Sequence, residues 1–245
     1  PEYFELPDAF IHYFPEFFPA VQANGMLQKL INGITWRQNT IKMYGKENPV
    51  PRLEAWYGDP GKSYTYSGIT MQPTPWNDDL KIIKNSIEPE SGVIFNSVLI
   101  NYYRDGKDRV AWHSDDEKEL GRNPVIGSVS LGAERNFKLR HKQYKVNGLK
   151  KQITLRHGSF LLMKGSTQHH WMHEIPRTAK PIGPRINLTF RVILSKPGVF
   201  IPVSQLHFLA ETAETIHFIV NRTPLVNVLL LCLKNYFLYF YSQFL

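Results

Sequence analysis

Cysteine is close to absent: the 245 residues hold one, Cys232. No disulfide can close within the chain, which excludes the cross-linked scaffold of small secreted domains and points to a reducing compartment. We expect an intracellular protein, nuclear in a eukaryote or cytoplasmic in a bacterium. No secretory leader is recognisable at the N-terminus, and because the chain starts at Pro1 rather than Met, the natural start is expected upstream. No internal repeat is evident, and no motif for an obligate protein partner. Acidic residues are outnumbered, 21 Asp and Glu against 29 Lys and Arg, giving a net charge of +8 and a pI near 9.4. That excess suits an acidic partner, nucleic acid first, although a merely soluble basic protein has the same balance. A hydrophobic content of 42% and a mean hydropathy of −0.30 describe a soluble globular chain, long enough for one good-sized core and a small addition.

Long apolar runs are lacking until the C-terminal end. Residues 224–245 are nearly all apolar or aromatic, interrupted by Lys234, Asn235 and several tyrosines. About 20 such residues can span a bilayer, which leaves a membrane segment open. The polar interruptions favour a helix packed on the body or a stretch beyond the true end of the protein.

Elsewhere the pattern is mainly that of β-structure. A helix is predicted near 25–34 from Leu27, Leu30, Ile31 and Ile34, and a second after Asn77, with Asp78 and Asp79 at its positive end and Leu80, Ile83 and Ile87 as its buried stripe. Residues 1–20 are expected to wrap the surface, and 36–75 to form short strands and aromatic loops. From 93 to 194, short strands follow one another: 93–95, 98–100, 125–131, 136–142, 153–156, 159–163 and 185–194. Many short strands with turn signals argue for an antiparallel sandwich or jelly roll with flanking helices, an α+β protein that is mainly β. The expected divisions are 1–35 (extension and helix), 36–92 (lid and supporting helix), 93–196 (core) and 197–245 (apolar tail).

Against this background one constellation carries chemistry. His113 and Asp115 are two apart, so on a strand they share a face. A second histidine downstream would complete the two-imidazole, one-carboxylate set that grips Fe(II) on one side and leaves the other open. His169, His170 and His173 all compete for that place, and the cluster read alone could also hold zinc or lie in water. His141 and His157 read as solvated or loop histidines. The run from Arg185 to Val192 alternates strictly, with Arg185, Asn187, Thr189 and Arg191 on one face. Paired guanidinium forks match a dicarboxylate, but a half-exposed strand with its arginines in water explains the run equally well by itself. Asn101 and Tyr103, also two apart, could add an amide and a phenol to the same acid pocket. Lys138, Arg140, Lys142, Lys145, Lys150, Lys151 and Arg156 form a basic hairpin candidate for phosphate contacts, and Tyr44, Trp56, Tyr57, Tyr64 and Tyr66 are aromatics for base stacking. For Trp56 and Tyr57, packing within the lid is the stronger reading.

Taken together, the chain resembles the AlkB family of Fe(II)- and 2-oxoglutarate-dependent dioxygenases. The stretches that carry the resemblance are 51–52, 56–58, 64–67, 95–97, 101–103, 112–117, 128–132, 157–159 and 184–191, within about 35–195. It looks closest to the nucleic-acid-repair members, the second and third human homologues. The resemblance implies a double-stranded β-helix (jelly-roll) core under a nucleotide-recognition lid. It implies His113, Asp115 and His173 as iron ligands, His173 because Trp171-Met172-His173 matches the family's aromatic two residues before the distal histidine. It implies Asn101, Tyr103, Arg185, Thr189 and Arg191 around 2-oxoglutarate, and Asp116, Tyr64, Thr65 and Tyr66 around the target base. Tyr44, with Gly45 and Lys46, falls where one duplex-repair relative carries an intercalating finger.

The implied activity is oxidative demethylation of N-alkylated bases, such as 1-methyladenine and 3-methylcytosine, in DNA, with RNA left open. Fe(II), O₂ and 2-oxoglutarate would be consumed or used, with formaldehyde, succinate and CO₂ as products. A base inside a duplex must be extruded to react. The competing readings are a nucleic-acid-binding module with vestigial iron chemistry, and an oxygenase acting on a protein or lipid. The tail beyond 197 has no counterpart in the resemblance.

Overall fold

The computed structural model describes residues 1–43, 46–62, 64–66 and 69–194, with backbone alone at 41–43, 46, 64–66 and 69–71. In chain order the elements are β1 (Glu2–Leu6), β2 (Ala9–Phe14), α1 (Ala20–Gly33), β3 (Thr40–Met43), β4 (Lys46–Pro49), β5 (Leu53–Gly58), β6 (Tyr64–Tyr66), β7 (Ile69–Met71), α2 (Asp78–Ser91), β8 (Ser97–Tyr103) and β9 (Val110–His113). They continue with β10 (Ile126–Gly132), β11 (Arg135–His141), α3 (Tyr144–Asn147), β12 (Lys150–Leu155), β13 (Ser159–Lys164), α4 (Thr167–His170), β14 (Trp171–Ile175) and β15 (Arg185–Arg191). A seven-stranded sheet, β1-β2-β13-β10-β15-β8-β5, and a four-stranded sheet, β12-β11-β14-β9, are antiparallel throughout. This is the expected jelly roll.

Period-2 patterning sorts side chains between two cores. Val98, Ile100, Val129, Leu131, Phe160, Leu162, Ile186, Leu188 and Phe190 point to one side of the large sheet and pack with Leu27 and Leu30 of α1 and Leu80, Ile83 and Ile87 of α2. Trp56, Leu99, Ile126, Leu161 and Met163 point the other way and meet Phe137, Leu139, Ile153, Leu155, Trp171 and Ile175 of the small sheet. Helix α2 starts where the sequence predicts: Asn77 accepts a hydrogen bond from the Leu80 N–H at 2.9 Å, and Gly92 closes the helix at φ +70°.

Several expectations need correction. Residues 1–20 do not simply wrap the surface. They form the β1–β2 hairpin, which joins the large sheet through β13, with Ile11 and Tyr13 buried. Their alternation is short enough to escape notice in a Phe- and Pro-rich stretch. Helix α1 begins at Ala20, directly after Pro19, earlier than its apolar stripe suggests, because the first turn is largely exposed. Residues 93–95 are not a strand: Gly92 ends α2, and pairing starts at Ser97. Trp56 and Tyr57 lie buried in β5, one in each core, so neither is a base-stacking loop residue. The basic hairpin is present as β11 and β12 joined through α3. Tyr44 and Gly45, the side chains of Lys46, Tyr64, Thr65 and Tyr66, and the tail from 195 lie outside the described residues. No helix among the described residues is long and apolar enough to cross a membrane, and nothing bears out the reading of the tail as a membrane segment.

Candidate active site and metal centre

His113, Asp115 and His173 come together between the two sheets, each offering a ligand atom within 4.8 Å of the others'. The two histidines are direct cross-strand partners on β9 and β14, which sets their rings 4.2 Å apart. Asp115 arrives differently from the sequence expectation. Strand β9 ends at His113, so a shared strand face is not what brings the carboxylate in. A turn does so, pinned by Ser114 Oγ donating to the Trp171 carbonyl at 3.0 Å and by the Asp115 N–H donating to Gln168 Oε1 at 2.9 Å. Gln168, buried beside two exposed-looking histidines, has a positioning role that sequence reasoning missed.

The protonation pattern of this group suits a divalent metal. His113 Nδ1 lies 2.8 Å from the Ala111 carbonyl. A carbonyl can only accept, so the ring proton sits on Nδ1 and Nε2 keeps its lone pair. Burial pulls His113 below its ordinary value and is the largest cause that brings His173 down to about 3. Both rings are therefore neutral ligands at physiological pH. Burial alone would raise the Asp115 pKa, but the Arg191 charge leads the interactions that outweigh it and pull the carboxyl down to about 2. Asp115 Oδ2 stands 3.6 Å from His173 Nε2, and its Oδ1 accepts from Arg191 Nη2.

Beside this group lies a polar wall. Arg185, Asn187, Thr189 and Arg191 all face the interior from β15, and all are buried, so the alternative of a strand with its arginines in water is set aside. Across the ladder, Arg185 pairs with Tyr103 and Asn187 with Asn101 of β8. Arg185 donates from Nη2 to Ser130 Oγ at 2.9 Å, while its Nε and Nη1 are buried with no partner among the described residues. Buried guanidinium N–H groups without a partner, set in a cavity, are receptors for a carboxylate. Burial lowers the Arg185 pKa to about 10, which leaves it a cation at neutral pH. Tyr103 lies under the guanidinium, 5.0 Å from ring centre to Cζ. The Asn101 amide oxygen accepts from Arg52 Nε at 2.7 Å, and Arg52 in turn pairs with buried Glu54. Arg52 lines the same cavity. In the sequence it stands in the 51–52 stretch of the resemblance, which assigns it no role.

The competing histidines go elsewhere. His169 Nε2 accepts from the Asn123 N–H at 3.2 Å. His170 and His141 form a second grouping with Asp8, and His141 is buried rather than solvated, a correction that follows from its inward place at the end of β11. The Gln143 N–H donates to His141 Nδ1 at 3.1 Å. His141 Nε2 lies 3.7 Å from Asp8 Oδ2, beyond hydrogen-bond distance, and is buried without a hydrogen-bond partner among the described residues. His157, at the turn before β13, accepts the Gly132 N–H through Nδ1 at 2.8 Å.

Outside the cavity, the small sheet shows a basic and aromatic face. Arg140 is stacked between Trp112, at 4.1 Å, and Tyr144, at 4.7 Å, in a groove of about 470 Å³ also lined by Lys138, Lys150 and Lys151. Asp116 is exposed, and its Oδ2 accepts from Lys142 Nζ at 2.9 Å.

A model of the 2OG-Fe(II) oxygenase superfamily matches residues 10–191, a span that includes every residue of this site. The chain belongs to that superfamily. Within it, this oxygenase is AlkB-like. It is 43% identical over 191 residues to alpha-ketoglutarate-dependent dioxygenase alkB homolog 3 of Homo sapiens, a match covering 75% of this chain and 66% of that protein. It is 42% identical over 173 residues to DNA oxidative demethylase ALKBH2 of Homo sapiens, covering 69% of this chain and 66% of that one. The matches thus span just under two thirds of these relatives' length. The solved structure of OsALKBH1 superposes with a TM-score of 0.53 at 17% identity, over 74% of this chain and 97% of that one, a likeness of fold. The superfamily uses Fe(II), 2-oxoglutarate and O₂, and the donor set described above fits the first two.

Proposed function

We propose that this oxygenase removes alkyl groups oxidatively from ring nitrogens of nucleic-acid bases, 1-methyladenine and 3-methylcytosine in DNA foremost, with RNA as a further substrate class. The observation that carries the reading is the sharing of one cavity by the His113–Asp115–His173 group and the unpartnered Nε and Nη1 of Arg185. The relatives named for DNA demethylation and for alpha-ketoglutarate-dependent dioxygenation support the choice of reaction.

His113, Asp115 and His173 would hold the iron. Arg185, with Asn101, Tyr103, Thr189 and Arg191, would hold the keto acid. Bound together, these two and O₂ supply the oxidant that hydroxylates an N-methyl group, and the resulting hemiaminal releases formaldehyde, with succinate and CO₂ as the other products. The protein's own part is positional and electrostatic. The Ala111 carbonyl keeps the proton on His113 Nδ1, Arg191 keeps Asp115 ionised, and Phe137, Leu99 and Ile175 wall the cavity against water. The Trp112–Arg140–Tyr144 stack and its neighbouring lysines suit phosphates and bases. The roles of Asp116 at the target base, and of Tyr44, Gly45, Lys46, Tyr64, Thr65 and Tyr66 in the lid, follow from the family resemblance. The single cysteine supports an intracellular location.

The test is formaldehyde release from oligonucleotides carrying 1-methyladenine or 3-methylcytosine, in single- and double-stranded DNA and RNA, with Fe(II), ascorbate and 2-oxoglutarate. Folded, iron-loaded protein that binds these oligonucleotides but consumes no 2-oxoglutarate would establish a binding module instead. Turnover confined to protein or lipid substrates in the same assay would establish the third reading.

A further inference from the structure

We propose that Arg135 is a positioning residue for 2-oxoglutarate: a second buried cation beside Tyr103, which strengthens the preference for a dicarboxylate over a keto acid with one carboxylate. The inference rests on the placing of the keto acid at Arg185 and leaves the nucleic-acid substrate aside. Arg135 opens β11 of the small sheet and is 3% exposed. Its Cζ stands 5.5 Å from the centre of the Tyr103 ring, and Arg185 Cζ stands 5.0 Å from the same centre. Tyr103 and Arg185 line the inner cavity. Arg135 does not; it lines an outer groove with Arg177 and Lys180. It can therefore act on a ligand in the cavity only through Tyr103 and through its charge.

Backbone holds that charge in place. Nη1 donates to the Asp105 carbonyl at 3.3 Å, and Nη2 donates to the Asp108 carbonyl at 2.8 Å and to the Pro176 carbonyl. The first two carbonyls belong to the turn that follows Tyr103. This turn is also fixed by Thr178, whose N–H donates to the Gly106 carbonyl at 2.9 Å. Two carboxylates bring their charge to bear on Arg135, those of Asp108 and Asp105. Asp108 is engaged by Arg104 through Nε at 2.8 Å and Nη2 at 2.9 Å, and Asp105 is exposed. Among the described residues, neither Arg135 nor Arg185 hydrogen-bonds a carboxylate. Burial is the first cause that lowers the Arg185 pKa, and the Arg135 charge lowers it further, so the two cations sense each other.

Two guanidiniums in a dry region make a positive potential that an anion relieves. Arg191 lies on Asp115 at the metal group, so Arg185, at the opposite end of β15, meets the carboxylate remote from the metal. That carboxylate takes the unpartnered Nε and Nη1 of Arg185 and is attracted by Arg135 as well. A keto acid that ends there in a methyl group draws nothing from either cation. Charge acts across the tyrosine ring where contact cannot, so Arg135 adds selectivity without touching the ligand.

The measurement is calorimetric competition between 2-oxoglutarate and 2-oxopentanoate on Mn(II)-loaded protein, without nucleic acid. The two acids share the keto-acid end and differ at C5, a carboxylate in one and a methyl group in the other. Their affinity ratio within one protein cancels what a variant does to the metal group or to stability. In Arg135→Gln, which keeps a donor for a carbonyl, the ratio is expected to fall by about threefold to tenfold, the scale of one charge acting over roughly 10 Å in a partly buried site. Arg135→Met is the second neutral variant and should show the same fall. Arg135→Lys retains the charge and is expected to keep the wild-type ratio, even where stability drops. Gly106→Ala is also expected to keep it: the added Cβ would stand 2.5 Å from the Thr178 carbonyl oxygen, which disturbs the same turn with no charge removed. An unchanged ratio in the neutral variants, or an equal fall in Arg135→Lys or Gly106→Ala, overturns this inference alone and leaves Arg135 a brace for the turn. Wild-type protein that binds both acids equally overturns the placing of the keto acid at Arg185, and this inference with it.

Discussion

Arg191 lays its guanidinium on the buried carboxylate of Asp115, so one cation serves the metal group and the keto-acid wall together. The pair explains how an aspartate in a dry interior stays ionised, ready to bind a cation. It also gives the metal-free protein an acid-labile element. Asp115 has a folded pKa of about 2, below its ordinary 3.8. A depressed carboxyl stabilises the fold above the unfolded value, and that contribution is lost as pH falls through the folded value. Between pH 4 and 2 the metal-free protein should lose about 2 kcal/mol from this group. Urea unfolding at stepped pH should show that loss in the wild type and not in Asp115→Asn. Arg191→Met should be destabilised by about 3–5 kcal/mol, because it strands a buried charge.

The histidines act over a different window. His173 has a folded pKa of about 3 against an ordinary 6.5, through burial first and the His113 charge next. For a base, a depressed folded value means that the unfolded chain takes up the proton first. Stability should therefore decline as pH falls below 6.5, and this decline should end near 3. His173→Gln in the metal-free protein should have a shallower slope across that window. A bound divalent metal requires the neutral ring, so adding Co(II) should hold stability level further into acid in the wild type and not in the variant.

Arg185 has two guanidinium nitrogens, Nε and Nη1, without a partner among the described residues. Arg185→Met should raise the apparent dissociation constant for 2-oxoglutarate by about tenfold to a hundredfold, the range of a charge-assisted hydrogen-bond pair. Arg185→Lys should restore little, because an ammonium is a point charge without the planar fork. Calorimetric titration of Mn(II)-loaded protein with 2-oxoglutarate reads this without turnover. Wild-type affinity in Arg185→Met would remove Arg185 from the pocket.

How legible this site was in the sequence depended on how each residue is carried. The β15 row was readable as a row, because Arg185, Asn187, Thr189 and Arg191 alternate with Ile186, Leu188 and Phe190 on one strand. Its burial was not, since period-2 alternation looks the same when the polar face meets water as when it meets an enclosed polar cavity. Convergence of His113 and Asp115 was foreseen for a wrong reason: the strand stops at His113, and the Ser114 and Gln168 hydrogen bonds make the turn that aims the carboxylate. Gln168 left no pattern, and Arg52 entered only within the 51–52 stretch of the resemblance without a role, because their partners, Asp115 and Asn101, are distant in sequence and meet them only after the sheets have paired. The N-terminal hairpin was missed on similar grounds. Its Ile11 and Tyr13 alternate over too few positions to outweigh the surrounding Phe and Pro, and only the open edge of β13 gives them a place.

That dependence on long-range pairing is sharpest at Gly132, where β10 ends opposite Arg185. Its φ is +92°, a region that side chains rarely adopt, and an added Cβ would stand 2.3 Å from the Pro184 carbonyl oxygen. Backbone is the obstacle on that side, so no flexible side chain can swing away. Gly132→Ala should force the segment at Pro184 outward and shift the start of β15 relative to Ser130, whose hydroxyl accepts from Arg185. We expect about 1–3 kcal/mol of destabilisation together with a weaker hold on 2-oxoglutarate. Urea unfolding and the same calorimetric titration check both. The wild-type 2-oxoglutarate affinity in a destabilised Gly132→Ala would mean that Arg185 keeps its place by packing on Tyr103 alone, whatever the strand beside it does.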